Sequence, residues 1–179
     1  METIETPDLH AIYQEALAFT QQFKSVQLAT CSPDGIPEAS YACYLYKNGK
    51  YYLYLSRLAT HFHHLFQHPR CSLLFIENED KAKQLFARRR FSIQCTSTVI
   101  PRESEFFQQI MNDFSDRFGR FMSLIRDLSD FELFELSPEY GSFVAGFAKT
   151  YRLDLSFFSS NHENYVELDD SSSRNDKVG

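Results

Sequence analysis

The stretch LSRLATHFHHLFQHPR, residues 55–70, holds His61, His63, His64 and His68, four of the chain's six histidines. Imidazoles at that density admit three chemistries: ligation of a metal, a grip on a bound cofactor, or titration on a solvated helix face. On a helix His61, His64 and His68 share one face, Phe62, Leu65 and Leu58 the adjacent one, and His63 points elsewhere. A dedicated metal site draws on carboxylates or thiolates at close spacing, and the nearest acidic residue in sequence is Glu77. That disfavours metal, and solvation accounts best for His63, His64 and His68.

Three other groups could bear chemistry. ARRRFSIQC sets Arg88, Arg89 and Arg90 where a helix would hand over to a strand, ordinarily a solvated charge run. Asp130 opens DFELFEL, a place that aspartate fills often as a turn or strand-start residue. Cys31, Cys43, Cys71 and Cys95 fall singly in apolar or alternating runs without a C-x-x-C pair, so they read as buried thiols rather than zinc ligands or a redox dithiol.

These residues must be positioned by one domain, since 179 residues suffice for a single good core. DLHAIYQEALAFTQQF predicts a helix capped by Asp8, with Leu9, Ile12, Ala16, Leu17 and Phe23 on its packed side. SVQLATC and EASYACYLY form a hairpin across SPDGIP, and Asn48-Gly49 in YLYKNGKYYLYLS makes a second. The histidine helix ends at Pro69, and CSLLFIE is an apolar strand expected to be covered on both faces. ENEDKAKQLFARR is helix-prone, RRFSIQCTSTVIP is an alternating strand, and ESEFFQQIMNDFSDRF and GRFMSLIRDL are helical. FELFELSP and YGSFVAGFAKTYRLDL complete the strands. Residues 1–155 are expected to form the domain and the polar, serine-rich residues 156–179 a flexible tail. Strands joined by hairpins with interspersed helices define a mainly β, α+β barrel of about six antiparallel strands.

With 24 acidic against 18 basic residues, a net charge of -6, the surface lacks the electropositive field that nucleic acid selects. No apolar run reaches the roughly 20 residues of a membrane span, and METIETPDLH lacks the pattern of a signal peptide. A cytoplasmic location without membrane association is the expectation.

Four blocks in this order, LATCSPDGIPEAS, LSRLATHFHHLFQHPRCSLLFIE, FARRRFSIQCTSTVIPRE and DFELFELSPEYGSFVAGFAKTYRLD, resemble the heme-utilization branch of the pyridoxamine 5'-phosphate oxidase-like, FMN-binding split β-barrels. The resemblance spans about residues 10 to 154. It implies a six-stranded antiparallel split β-barrel that forms a homodimer with two equivalent sites where the subunits meet. Flavin members hold FMN there. In the heme-utilization branch the cleft holds heme, which some members degrade with oxygen and an electron donor.

The resemblance also implies roles. Ser56, Arg57, Thr60 and His61 fall on the segment that grips the cofactor's anion, where free backbone N–H groups and the helix dipole favour negative charge. Arg57 suits either the FMN phosphate or a heme propionate. The flavin pattern expects a lysine near Thr60 or His61, and this chain has none. Arg90 matches an arginine that lies near heme and acts by charge. Asp130 matches an aspartate that hydrogen-bonds the axial histidine, fixing its tautomer. The branch supplies that ligand from its C-terminal tail, where this chain has His162, although ELDDSSSRNDKVG departs from the branch's histidine- or glycine-rich end. Asp130 and Arg90 are thus the candidate catalytic residues. The leading expectation is a dimeric heme-binding protein that degrades heme to release iron. An FMN-dependent oxidoreductase and a heme carrier without turnover stay open beside it.

Overall fold

The computed structural model describes residues 7–160. Its first helix, α1 (Leu9–Thr20), starts where the Asp8 carboxylate accepts the backbone N–H groups of His10 at 3.0 Å and Ala11 at 3.1 Å. The packed face centres on Tyr13, Ala16 and Phe19, with Leu9, Ile12, Leu17 and Phe23 flanking it. Strands β1 (Ser25–Cys31), β2 (Pro37–Lys47) and β3 (Lys50–Ser56) form the expected antiparallel meander. Asn48 and Gly49 both take positive φ, 52° and 77°, as a two-residue hairpin between twisted strands requires.

The chain continues through α2 (Thr60–Gln67), β4 (Arg70–Ile76), β5 (Arg90–Ile100), α3 (Glu105–Phe118), α4 (Arg120–Ile125), β6 (Phe131–Gly146), β7 (Lys149–Asp154) and α5 (Leu155–Ser160). The strand order β3-β2-β1-β4-β5-β6 closes on itself because β6 also pairs with β3. The result is a six-stranded antiparallel barrel, with β7 added along the later half of β6. Leu28, Leu53, Leu73, Phe75, Phe91, Ile93 and Phe143 fill its interior beneath α1. A second apolar layer forms outside, where Phe107, Ile110, Met111 and Phe114 of α3 cover Leu45, Tyr52, Tyr54 and Leu133. None of the helices is long and apolar enough to cross a membrane, among the described residues.

Three segments differ from expectation. ENEDKAKQLFARR forms only single 3-10 turns at Glu79–Lys81 and Leu85–Ala87, neither with a buried residue. A short helix without an apolar face has no packing to stabilise it. FELFELSP and YGSFVAG are one continuous strand, and the break falls instead at Phe147-Ala148, with Ala148 at φ 56°. CSLLFIE alternates, burying Cys71, Leu73 and Phe75 while Leu74 and Ile76 stay half-buried on the outer face of this single chain.

Gly141 lies against the core: an added Cβ would sit 2.5 Å from Cε2 of Phe91, whose own exposure is 1%. Gly141→Ala is therefore expected to destabilise the barrel by about 1–3 kcal/mol, the usual cost of overpacking. Urea unfolding checks this, and an unchanged midpoint would contradict the close packing.

Candidate functional site

The site is built where β3 ends and β6 begins. Their antiparallel register pairs Ser56 with Phe131, which brings Arg57, the residue after Ser56, beside Asp130, the residue before Phe131. The Arg57 backbone N–H donates to the Asp130 carbonyl at 2.7 Å, and the Ser56 hydroxyl donates to Asp130 Oδ2 at 3.0 Å. Ser56 Oγ in turn accepts the Leu58 N–H at 3.2 Å. Ser56, Arg57 and Asp130, expected from two distant blocks, thus come together, with the Asp130 carboxylate held by the Ser56 hydroxyl and its carbonyl by the Arg57 N–H.

Beside this junction opens a cleft of about 450 Å³, lined by Arg57, Arg102, Glu103, Asp127, Ser129 and Glu132 among others. The Arg57 guanidinium is paired with Glu132, the first exposed and the second largely buried. Three carboxylates therefore face two guanidiniums, a poor cradle for a phosphate dianion. Glu132 and Arg102 carry no signal of this role in the sequence.

The histidines of α2 divide. His61 Nδ1 lies 3.0 Å from Ser40 Oγ, and the Ser40 hydroxyl donates to the Leu28 carbonyl at 3.2 Å. With its one proton so directed, Ser40 accepts from His61, which puts the imidazole proton on Nδ1 and leaves Nε2 as the basic nitrogen. Burial pushes the His61 pKa down, opposed by Glu38 and reinforced by the neighbouring His64. His64 is not solvated as expected: its side chain is 12% exposed, with Nδ1 3.1 Å from Thr30 Oγ1 and 3.5 Å from a Glu38 oxygen. Strand pairing supplies those partners, since Thr30 and Glu38 lie opposite each other across the β1–β2 hairpin. His63 and His68 are exposed, as is Thr60 at the first turn of α2, where Ala59 offers no side-chain cap. Among the described residues no three His, Cys, Asp or Glu side chains assemble as a metal-ligand set.

Arg90 is not brought to this site within one chain. It opposes Val144 near the end of β6, whereas Asp130 immediately precedes β6, so the two sit at opposite ends of the β5–β6 pair. Ten residue steps of β5 separate those ends, roughly 30 Å along the strand. The Arg90 guanidinium donates to the Arg88 carbonyl at 3.2 Å. His162 lies outside the described residues.

A closed six-stranded antiparallel barrel with a covering α3–α4 layer and an anion-flanked cleft at a strand-helix junction defines the split-barrel class. Residues 12–145 match the pyridoxamine 5'-phosphate oxidase family, and the chain belongs to it. It is 37% identical over 139 residues to heme oxygenase HutZ of Vibrio cholerae, covering 78% of this chain and 79% of that protein. A crystal structure of Vibrio cholerae HutZ, described as a heme storage protein, superposes with a TM-score of 0.67 at 36% identity, covering 70% of this chain and 89% of the other. Campylobacter jejuni ChuZ superposes with a TM-score of 0.76 at 29% identity, covering 83% of this chain and 61% of ChuZ.

A histidine held below its ordinary 6.5 binds its proton more readily in the unfolded chain. Its contribution is intact above pH 6.5, and stability is lost as pH falls through that value toward the lower folded pKa. His61→Gln should therefore lose less stability than the wild type on acidification from above to below 6.5, measured by urea midpoints. Equal losses would show that His61 is not held neutral.

Proposed function

We propose that this chain is a homodimeric heme-binding protein of heme-iron utilization that takes heme as substrate and releases its iron by oxidative degradation. The observation that supports it most is the fixed Asp130 carboxylate: Ser56 holds one oxygen at 3.0 Å, and a second oxygen remains to accept an imidazole N–H. The likeness to HutZ, named a heme oxygenase, points the same way. In this reading His162 would ligate the heme iron and give its other ring N–H to Asp130, which would fix the tautomer and strengthen the ligand. Ring opening is the chemistry of heme iron with oxygen and an electron donor, and the protein's share is to bind, orient and hold protons.

Arg57 reaches a propionate only by sharing its guanidinium with Glu132, while Arg90 meets the Asp130 end of a site only if a second chain contributes it. The uncovered outer face of β2, β1, β4 and β5 suits that second chain. Small Ala39, Ala29 and Ser72 lie in one row, with Gln27, Leu74 and Ser92 in the next, flanked by Tyr41 at 71% exposure. Such a flat, weakly charged sheet face is what isologous pairing buries. The carrier reading has its own support in the description of HutZ as a heme storage protein. FMN, the ligand of the flavin members, is disfavoured by the three carboxylates around Arg57 and by the missing lysine.

Two measurements test this. Titrating the purified protein separately with hemin and FMN should give a saturable Soret band and no retained flavin; tight flavin retention would reverse the ranking. In the same assay His162→Ala should abolish the native spectrum and Asp130→Asn should alter it while keeping binding, whereas His63→Ala should match the wild type. Sedimentation should show a dimer that Leu74→Glu converts to monomer, with hemin binding lost together with the dimer. A monomeric wild type that still binds hemin would sink the shared site.

A further inference from the structure

We infer that Arg102 is the positioning residue for Asp130, a role that rests on the functional reading of Asp130 above. Arg102 lies two residues past the end of β5, in the turn before α3. Its Nη2 donates to the carbonyls of Leu128 at 2.7 Å and Phe131 at 2.8 Å and to the Tyr54 hydroxyl at 3.1 Å. Its Nη1 donates to the Arg126 carbonyl at 3.3 Å. The Tyr54 hydroxyl donates to that same Arg126 carbonyl at 2.8 Å, and the guanidinium stacks 5.2 Å from the Phe107 ring centroid.

These acceptors bracket Asp130. Leu128 is two residues before it and Phe131 one after, so the connector between α4 and β6 is clamped on both sides of the carboxylate-bearing residue. Glu103 and Asp127 line the same cleft, yet among the described residues Arg102 forms no ion pair with either. Its donors go to main-chain carbonyls and one phenol, which is a use of the planar fork for geometry rather than for charge neutralisation. The fixed connector then presents the Asp130 carbonyl to the Arg57 N–H and its carboxylate to Ser56. Loss of the clamp frees the carboxylate to rotate away from the imidazole it orients.

The test reads the ligand-free protein first. Amide hydrogen exchange by NMR should be about tenfold or more faster at Arg57 and Leu58 in Arg102→Ala, with Leu73 and Ile93 of the barrel unchanged. Arg102→Lys, which retains a charged donor, should restore part of the protection. Wild-type protection at Arg57 and Leu58 in Arg102→Ala would overturn the proposal. Hemin then supplies a second readout: Arg102→Ala should shift the absorption spectrum in the direction of Asp130→Asn and add nothing in the double variant. Independent, additive shifts would overturn it. If the wild type takes up no hemin, the heme reading falls while the exchange measurement still decides whether Arg102 places Asp130. Should Arg102→Ala fail to fold, Arg102→Gln gives the same two readouts.

Discussion

One strand has to serve two neighbours on its own side of the barrel, and the rest of the structure follows from how β6 does it. Its first six residues pair with β3, the stretch from Leu133 to Val144 runs along β5, and its later half carries β7. A straight strand cannot close the barrel and also extend beyond it. The ladder slips between Gln94 and Cys95, where Pro138 opposes Cys95 and Glu139 is the extra residue. Proline fits there because it has no N–H to leave unpaired. The slip changes which side chains face inward: Phe134 and Leu136 before it, Gly141 and Phe143 after it. The close contact of Gly141 with Phe91 belongs to the same bend.

The bend also fixes the geography of the site. By joining β3 at its start, β6 delivers Asp130 to Ser56 and Arg57; by continuing past the bulge, it carries the partner of Arg90 to the other end. Within one chain Asp130 and Arg90 therefore lie at opposite ends of the β5–β6 pair.

What the sequence disclosed depended on whether the decisive interaction was local. Asn48-Gly49 and the Asp8 cap were legible because the backbone there needs those residue types within two or three positions. Ala148 was not, since an alanine in the left-handed region has no sequence signature, and Pro138 looked like a strand end because a bulge is defined by the opposing strand. The Thr30 partner of His64 lies 34 positions away, and the carbonyls that Arg102 clamps lie 24 to 29 positions away. Such contacts are set by register and closure, so nothing near either residue announced them. Ser56, Arg57 and Asp130 were reached through likeness of whole blocks, and their hydrogen bonds became visible only with the barrel closed.

The electrostatics of the cleft bear on the choice between the two ligands proposed for it. A phosphate dianion brings concentrated charge and requires several unengaged donors, whereas Arg57 is already held by Glu132 and Arg102 is used by carbonyls. A porphyrin demands less of such a rim, because most of its surface is apolar and its two propionates lie at the periphery, where water can share their solvation. The demand it does make is for a basic nitrogen on the iron with a carboxylate behind it. In the proposed function Asp130, held by Ser56 and by the Arg57 main chain, would supply that carboxylate. His61 shows how the barrel orients an imidazole through its own hydrogen bonds: its Nδ1 lies 3.0 Å from the Ser40 hydroxyl, which donates to the Leu28 carbonyl.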